Sequence, residues 1–303
     1  MGGKFTPAYF KTGLGALRRK VREAYRRLKH CHICARHCGV NRLLNEKGEC
    51  RAGREVFISG YGPHFGEEAP LVGEHGSGTI FFTFCNLKCV FCQNYEISWL
   101  GEGRRVSIRE LARIMLRLAS MGCHNINLVS PSHYVPQILA ALWFAARDGL
   151  HIPIVYNTGG YDALATIKLL DGVIDIYMPD LKYMDPALGL KLSGIPDYPE
   201  AAAKALKEMQ RQVGDLVIDQ DGIARRGLLV RHLVLPGHLD NTEKVVKFLA
   251  REISPNCFVN VMGQYYPVYE ADKYPPLNRR LTAAEYREAI KIARQQGLRV
   301  YHD

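Results

Sequence analysis

The residues of this 303-residue chain best suited to chemistry are its nine cysteines, and seven of them fall into two tight groups. Cys85, Cys89 and Cys92 lie within eight residues of one another. Thiolates spaced this way can wrap one cuboidal iron–sulfur cluster in a single loop. Three ligands leave one iron open, and an open coordination position separates a reactive metal centre from a closed structural one. A structural zinc site completed by a distant fourth ligand is the lesser reading, because the loop follows directly on a predicted strand.

Cys31, Cys34, Cys38 and Cys50 supply four thiols in twenty residues. They complete either a tetrahedral zinc or single-iron site or a fully ligated 4Fe-4S cluster, and spacing does not separate the two. Zinc or iron is preferred, as a structural ion for a module too small to carry its own core. An auxiliary cluster would instead relay electrons or anchor substrate. Cys123 and Cys257 stand singly among apolar residues and read as core packing.

Composition narrows the setting. With 47% hydrophobic and 23% charged residues, the chain can fill a core and is neither disordered nor fibrous. Its longest apolar run, 138–146, falls well short of the roughly 18 residues of a membrane-spanning helix. The basic N-terminus has no apolar segment after it, so a secretory signal is not expected. The expected location is the cytoplasm, where cysteines ligate metals in preference to forming disulfides.

The net charge is +10, yet residues 1–30 hold nine Lys/Arg against one acid, which leaves a nearly neutral body behind a basic arm. Leu14, Leu17, Val21, Tyr25 and Leu28 recur at helical spacing, with Arg18, Arg19, Lys20, Arg22, Arg26 and Arg27 on the other faces. The arm therefore reads first as a docked surface helix, and second as a patch for an acidic partner such as RNA or an acidic protein.

The elements that must position the cysteines follow from periodicity. The six glycines of 60–78 suggest a turn-rich connector. Beyond it, strands are predicted at 79–84, 125–130, 152–157, 174–178, 228–235 and 258–262, and 298–301 offers a seventh. Helices are predicted near 107–121, 134–149, 161–170, 197–213, 240–253 and 282–296. Ser107 with Glu110, and Thr282 with Glu285, both read as capping boxes. Repeated strand–helix units imply an α/β fold, a parallel sheet with helices outside, here a partial (β/α)6 TIM-like barrel whose chemistry belongs at the C-terminal strand ends. Three regions result: a basic amphipathic helical arm at 1–30, a four-cysteine metal module with its Gly-rich connector at 31–78, and the barrel at 79–303.

The motif C-x3-C-x2-C with an aromatic before the last cysteine resembles the signature of radical S-adenosylmethionine (SAM) enzymes, whose partial barrel carries its cluster loop after the first strand. CHICARHCGVNRLLNEKGEC, YGPHFGEEAPLVGEHGSGTIFF and CNLKCVFCQNYEIS together look like the pyruvate formate-lyase activating enzyme-related members, over residues 31–303. The resemblance implies a 4Fe-4S cluster on Cys85, Cys89 and Cys92, SAM as the second cofactor, and a low-potential donor of flavodoxin or ferredoxin type. It also implies reductive cleavage of SAM and hydrogen abstraction by a 5′-deoxyadenosyl radical. Phe91 would lie near the adenine.

Where such enzymes carry Gly-Gly-Glu for the SAM amino group, this chain reads Val129-Ser130-Pro131-Ser132-His133, and Ser130 and Ser132 would supply oxygens in its place. Asn157, Thr158 and Gly159 are similar to the activating enzymes' third strand end. Asp180 and Lys182 resemble their Asp-x-Lys pair, with Lys182 toward the SAM carboxylate and Asp180 toward ribose or a cation. Strand alternation turns either Arg231 or His232 inward, but not both. The segments 183–198 and 263–280, the latter rich in Tyr and Pro, read as loops over the reactive face. The implied substrate is a macromolecule, foremost a glycyl-radical enzyme partner. RNA or peptide modification is the alternative, and a non-catalytic metal-bound nucleic-acid or electron-transfer module is the rival from another class.

Overall fold

The computed structural model describes residues 5–301. Its strands are β1 (Val56–His64), β2 (Ser77–Phe82), β3 (Arg104–Val106), β4 (Ile126–Val129), β5 (Ile154–Thr158), β6 (Ile176–Pro179), β7 (Val217–Ile218), β8 (Ala224–Leu233), β9 (Phe258–Met262) and β10 (Arg299–Tyr301). The sheet runs β10-β9-β8-β6-β5-β4-β2-β1-β3, and β2, β4, β5, β6, β8, β9 and β10 are mutually parallel. The helices are α1 (Ala8–Arg26), α2 (Ala69–Val72), α3 (Ile108–Ser120), α4 (Val135–Arg147), α5 (Leu164–Leu169), α6 (Pro186–Ser193), α7 (Tyr198–Val213), α8 (Leu239–Phe248) and α9 (Ala283–Gln295). This is the partial (β/α) barrel the apolar periodicity predicts, with 298–301 adding a parallel edge strand.

Two apolar cores follow from strand alternation. Residues turned outward meet the helices in the large core. Those turned inward, among them Val155, Ile176, Met178, Leu229 and Phe258, pack with Leu71 of α2 inside the barrel. Above them the inward positions turn polar at Asn157, Asp180, Arg231 and Asn260, and Asn127 lies level with Val155.

Several expectations are revised. Both ends of the Gly-rich connector are strand, because β1 continues to His64 and β2 begins at Ser77, the two pairing antiparallel through Tyr61↔Ile80 and Gly62↔Thr79. Gly60 and Gly62 have open space around them, so these glycines sit in an extended edge and do not mark turns. The segment 183–198 is not an open loop, since it folds into α6 with Tyr183, Leu192, Ile195 and Tyr198 buried. The Thr282–Glu285 capping box forms in full. At α3 only half of it forms: Ser107 accepts the Glu110 N–H, but the Glu110 carboxylate goes to Arg104 at 2.6 Å.

α1 lies along the outside of the barrel, with Leu17 and Ala24 fully buried and Leu28 buried just beyond it. At its start the Ala8 N–H donates to Asp175 Oδ1 at 2.7 Å and the Tyr9 hydroxyl to the Ile152 carbonyl at 3.0 Å, beside the beginnings of β6 and β5. Past its end, Cys34 bridges to Asp162, beyond the end of β5. The helix thus carries the chain from the bottom of the barrel to its reactive end, leaving Arg18, Arg19, Arg22, Arg26 and Lys29 exposed.

Candidate functional site

The cysteine loop leaves β2 through Phe84, whose φ of 64° is a left-handed conformation that a bulky residue adopts only when its surroundings over-determine it. Its ring packs against Gly101, where any Cβ would collide with it. The loop is held from two sides, by Val90 N–H to the Leu192 carbonyl beyond β6 and by Glu270 N–H to the Val90 carbonyl. Each sulfur has a polar neighbour. Leu87 N–H approaches Cys85 Sγ at 3.4 Å, the Ser193 hydroxyl donates to Cys89 Sγ at 3.2 Å, and Ser98 Oγ lies 3.1 Å from Cys92 Sγ. Such hydrogen bonds favour added negative charge on sulfur and tune the potential of a bound cluster.

Burial, reinforced by the neighbouring Cys89 and Cys92, pushes the Cys85 thiol up to about 12, and Cys92 is raised by burial and by Cys89. These thiols keep their protons in the metal-free chain, so metal binding releases them. Among the described residues no group of three or more His, Cys, Asp or Glu side chains is arranged to hold an ion as it stands. What each cysteine group offers is a set of neighbouring thiols, not a closed cage.

All three cysteines line one cavity of about 390 Å³ at the C-terminal ends of the parallel strands. Phe91, Ser130, Asn157, Thr158, Gly159, Asp180 and Lys182 line it too. Asp180 is the electrostatic centre, taking Lys182 Nζ at 2.6 Å and Arg231 Nε at 2.9 Å. Arg231 also reaches Asn157 Oδ1 at 2.8 Å and Glu67 at 3.3 Å. Burial alone would raise the Asp180 carboxyl, but Lys182 and Arg231 outweigh it and hold it below the usual range. Lys182 and Arg231 in turn stay charged despite burial, chiefly through Asp180. Burial raises Glu67 against the pull of Arg231.

The backbone carrying this pair is clamped. The Tyr198 hydroxyl accepts the Lys182 N–H at 3.0 Å and sits 2.9 Å from the carbonyls of Gly159 and Asp180. His232 takes the Leu181 carbonyl at 2.8 Å, and Asn241 donates to the Lys182 carbonyl at 2.9 Å. Gly160 has φ +83°, and a Cβ there would strike the Asp180 carbonyl and the Tyr198 hydroxyl, so this close approach requires glycine.

Ser132 lies away from the cavity wall. It is buried, and its hydroxyl pairs at 2.9 Å with Thr158 Oγ1, which donates to Asp162 Oδ2 at 2.6 Å. Ser130, at φ 57°, remains on the wall. Phe91 is buried edge-on against Tyr265, their ring centroids 6.1 Å apart. Alternation is resolved in favour of Arg231, while His232 turns outward to Thr242 on α8 at 3.0 Å. Glu67 and Ser98 lie inside the family-like segments quoted above and Ser193 lies outside them, but spacing does not say which side chain any of the three meets.

In the other cysteine group, Cys31, Cys34 and Cys50 are buried and Cys38 is half-buried. Two backbone bonds, Cys31 N–H to the Val40 carbonyl and Gly39 N–H to the Cys31 carbonyl, both 2.9 Å, fold the segment on itself. A Cβ at Gly48 would strike Cys38 Sγ. Burial, then Cys50, raises the Cys34 thiol.

A parallel partial barrel with a three-thiol loop after its first parallel strand and an ion-paired cavity at the strand ends defines a class of cluster-bearing barrel proteins. The family description "Radical SAM superfamily" matches residues 79–249, more than half of the chain, and the chain belongs to that superfamily. Membership implies a 4Fe-4S cluster and SAM, and three neighbouring thiols, Cys89 buried and Cys85 and Cys92 half-buried, that line one cavity with the Lys182 ammonium fit such a cluster. The chain is 35% identical over 294 residues to the uncharacterized protein MJ0674 of Methanocaldococcus jannaschii, covering 94% of this chain and 80% of that one. A second uncharacterized protein of that organism, MJ0808, is 22% identical, covering 89% of this chain and 79% of its own length.

Two solved structures share the fold. One is a radical SAM methyltransferase from Sphaerobacter thermophilus (TM-score 0.52, 16% identity, 74% of this chain and 65% of that chain). The other is SuiB of Streptococcus suis bound to its precursor peptide SuiA (TM-score 0.50, 15% identity, 73% and 47%). The chain spans less than two thirds of either structure. No helix among the described residues is long and apolar enough to cross a membrane.

Proposed function

We propose that this protein is an activating-enzyme-like radical SAM oxidoreductase of the cytoplasm that takes a hydrogen atom from a macromolecular substrate, foremost a glycyl-radical partner protein. The observation that carries the reading is the meeting, in one cavity of about 390 Å³, of Cys85, Cys89 and Cys92 with the Asp180–Lys182–Arg231 ion cluster. When bound, the cluster and SAM supply reductive cleavage of the sulfonium and a 5′-deoxyadenosyl radical, with the electron drawn from a flavodoxin- or ferredoxin-type donor.

The chain's own residues do the rest. The three thiolates hold the cluster, and Ser193 and Ser98 bias the charge on its sulfurs. Lys182 presents an ammonium to a carboxylate, its direction fixed by Asp180. Ser130 and the Asn157–Gly159 turn offer oxygens and close backbone approach. Phe91 and Trp99 line one wall of the cavity, backed by Tyr265 and by the stacked pair Tyr95–Tyr269. Leu100 and Tyr266 stay exposed beside this wall, as suits a macromolecular substrate. Cys31, Cys34, Cys38 and Cys50 are proposed as a second metal site, which does not depend on the radical chemistry.

The test is anaerobic reconstitution, reduction and measurement of 5′-deoxyadenosine. The parent protein is expected to form it and Cys89→Ala to lose it, and equal product from both would sink the reading. Calorimetric titration with SAM separates it from a non-catalytic metal-bound nucleic-acid or electron-transfer module, which would show no binding.

RNA or peptide modification is the second reading, favoured by the exposed Arg18, Arg19, Arg22 and Arg26 on α1. Because α1 is also packed into the core, deleting it would damage the fold. Replacing these four arginines by glutamine is the cleaner test, and RNA binding with unchanged salt dependence would dismiss this alternative.

A further inference from the structure

The segment that carries Cys31, Cys34, Cys38 and Cys50 also grips the reactive loop. Arg36 Nε donates to the Asn86 carbonyl at 2.8 Å, Glu49 pairs with Lys88 at 3.1 Å, and Arg51 Nη1 donates to the Trp99 carbonyl at 2.9 Å. Asn86 adjoins Cys85, Lys88 adjoins Cys89, and the Trp99 indole holds the Cys89 carbonyl at 3.1 Å. Yet this gripping segment has almost no regular structure of its own, only a short turn of helix at Arg42–Leu44. A piece of chain so short of core and ladder needs a staple to be rigid.

Arg42 indicates what the staple is. Its side chain is buried at 1% exposure beside the thiols. Its donors go to the Gly53 carbonyl at 2.9 and 3.0 Å, the His133 carbonyl at 2.7 Å and Cys31 Sγ at 3.9 Å. None of these partners is a carboxylate. A guanidinium buried without an anion is strongly unfavourable, and the natural anion here is a metal-thiolate centre, because four thiolates on a divalent ion leave net negative charge. A fully ligated cluster would also carry it.

We propose that Cys31, Cys34, Cys38 and Cys50 close on one thiophilic metal centre with Arg42 as its buried counter-charge, and that this centre holds the Asn86–Lys88 stretch of the reactive loop in position. The metal site stands apart from the radical reading. Only the coupling to the loop rests on it.

The experiment uses the full chain purified anaerobically. A Cys85→Ala/Cys89→Ala/Cys92→Ala variant, which cannot hold the reactive cluster, is expected to keep a stoichiometric metal. Zinc or iron without sulfide identifies a single ion, and iron with equal sulfide identifies a cluster. Adding Cys31→Ser/Cys34→Ser to that background should remove the metal, and a folded triple variant that carries none overturns the site.

Arg42→Met reads the counter-charge. It should lower metal retention several-fold and lower Tm in the metal-loaded protein. A rise in Tm with metal retention unchanged would mean that the guanidinium faced neutral thiols, and would overturn its role. Arg36→Ala, in the chain with all nine cysteines, reads the coupling. The N-terminal metal should persist while iron at the reactive loop falls and the electron paramagnetic resonance signal of its reduced cluster broadens. Unchanged iron content and signal overturn the coupling.

Discussion

Replacing Asp180 by asparagine removes the one carboxylate that two buried cations share, with almost no change in shape. Lys182 Nζ and Arg231 Nε lie 2.6 and 2.9 Å from its oxygens, and all three side chains are less than one-fifth exposed. At an effective dielectric near 20 those separations correspond to roughly 6 kcal/mol of gross attraction each. Desolvation has already consumed much of that, so the net loss on breaking a buried pair is about 3–5 kcal/mol. Glu67, at 3.3 Å from Arg231, still partners that cation, and the cavity admits water to Lys182, so the expected value is near the lower end, about 3 kcal/mol. Urea unfolding of the metal-free protein at pH 7 measures it.

Acid supplies the control. Because Asp180 is held below its ordinary 3.8, its contribution is complete above that value and is lost as pH falls through the folded-state pKa. The gap between parent and Asp180→Asn should therefore be full at neutral pH and shrink below about pH 4. Free carboxylate or sulfate should also rescue the variant more than the parent, by occupying the anion position between Lys182 and Arg231. Two variants equal within about 0.5 kcal/mol at pH 7 would refute the assignment of Asp180 as the charge that organises this cavity.

Two further outcomes follow from the same geometry. Ser193→Ala removes the hydroxyl that donates to Cys89 Sγ at 3.2 Å, so the reduced cluster loses a stabilising hydrogen bond and its midpoint potential should become more negative in a redox titration, with iron content unchanged. Asp175, which accepts Ala8 N–H at 2.7 Å and Ile154 N–H at 3.0 Å, is pushed up to about 7 by burial despite those bonds. Its folded state therefore holds a proton that the unfolded chain releases near pH 4, and its contribution to stability should fall by up to about 1.4 kcal/mol per pH unit from there to pH 7. Asp175→Asn should lack that slope in chemical unfolding across the same window.

The barrel is legible in the sequence because its signals are local. Apolar runs of strand length alternate with helical periodicity, and right-handed crossovers leave few arrangements for such a chain. The cysteine triplet is legible for a similar reason, since three ligands in one loop need no distant residue to define them. Spacing also puts Asp180, Lys182, Asn157 and Gly159 at strand ends, which the barrel brings to one cavity. Glycine content misleads at β1, because glycine signals a turn only where φ is positive, whereas Gly60 and Gly62 sit in extended edge backbone. Position misleads at Ser132, which follows β4 in sequence but is buried behind the cavity wall, its hydroxyl paired with Thr158 Oγ1.

By itself, the sequence determined the class of chemistry and the scaffold, because thiol spacing and hydrophobic period are properties of neighbouring residues. Tertiary structure decided the electrostatics. Whether Arg231 or His232 faces the cavity, and which acid it meets, depend on residues far apart in the chain. Their proximity exists only after the sheet has curved and the N-terminal segment has docked, and at those separations charge and burial, not spacing, set what each group can do.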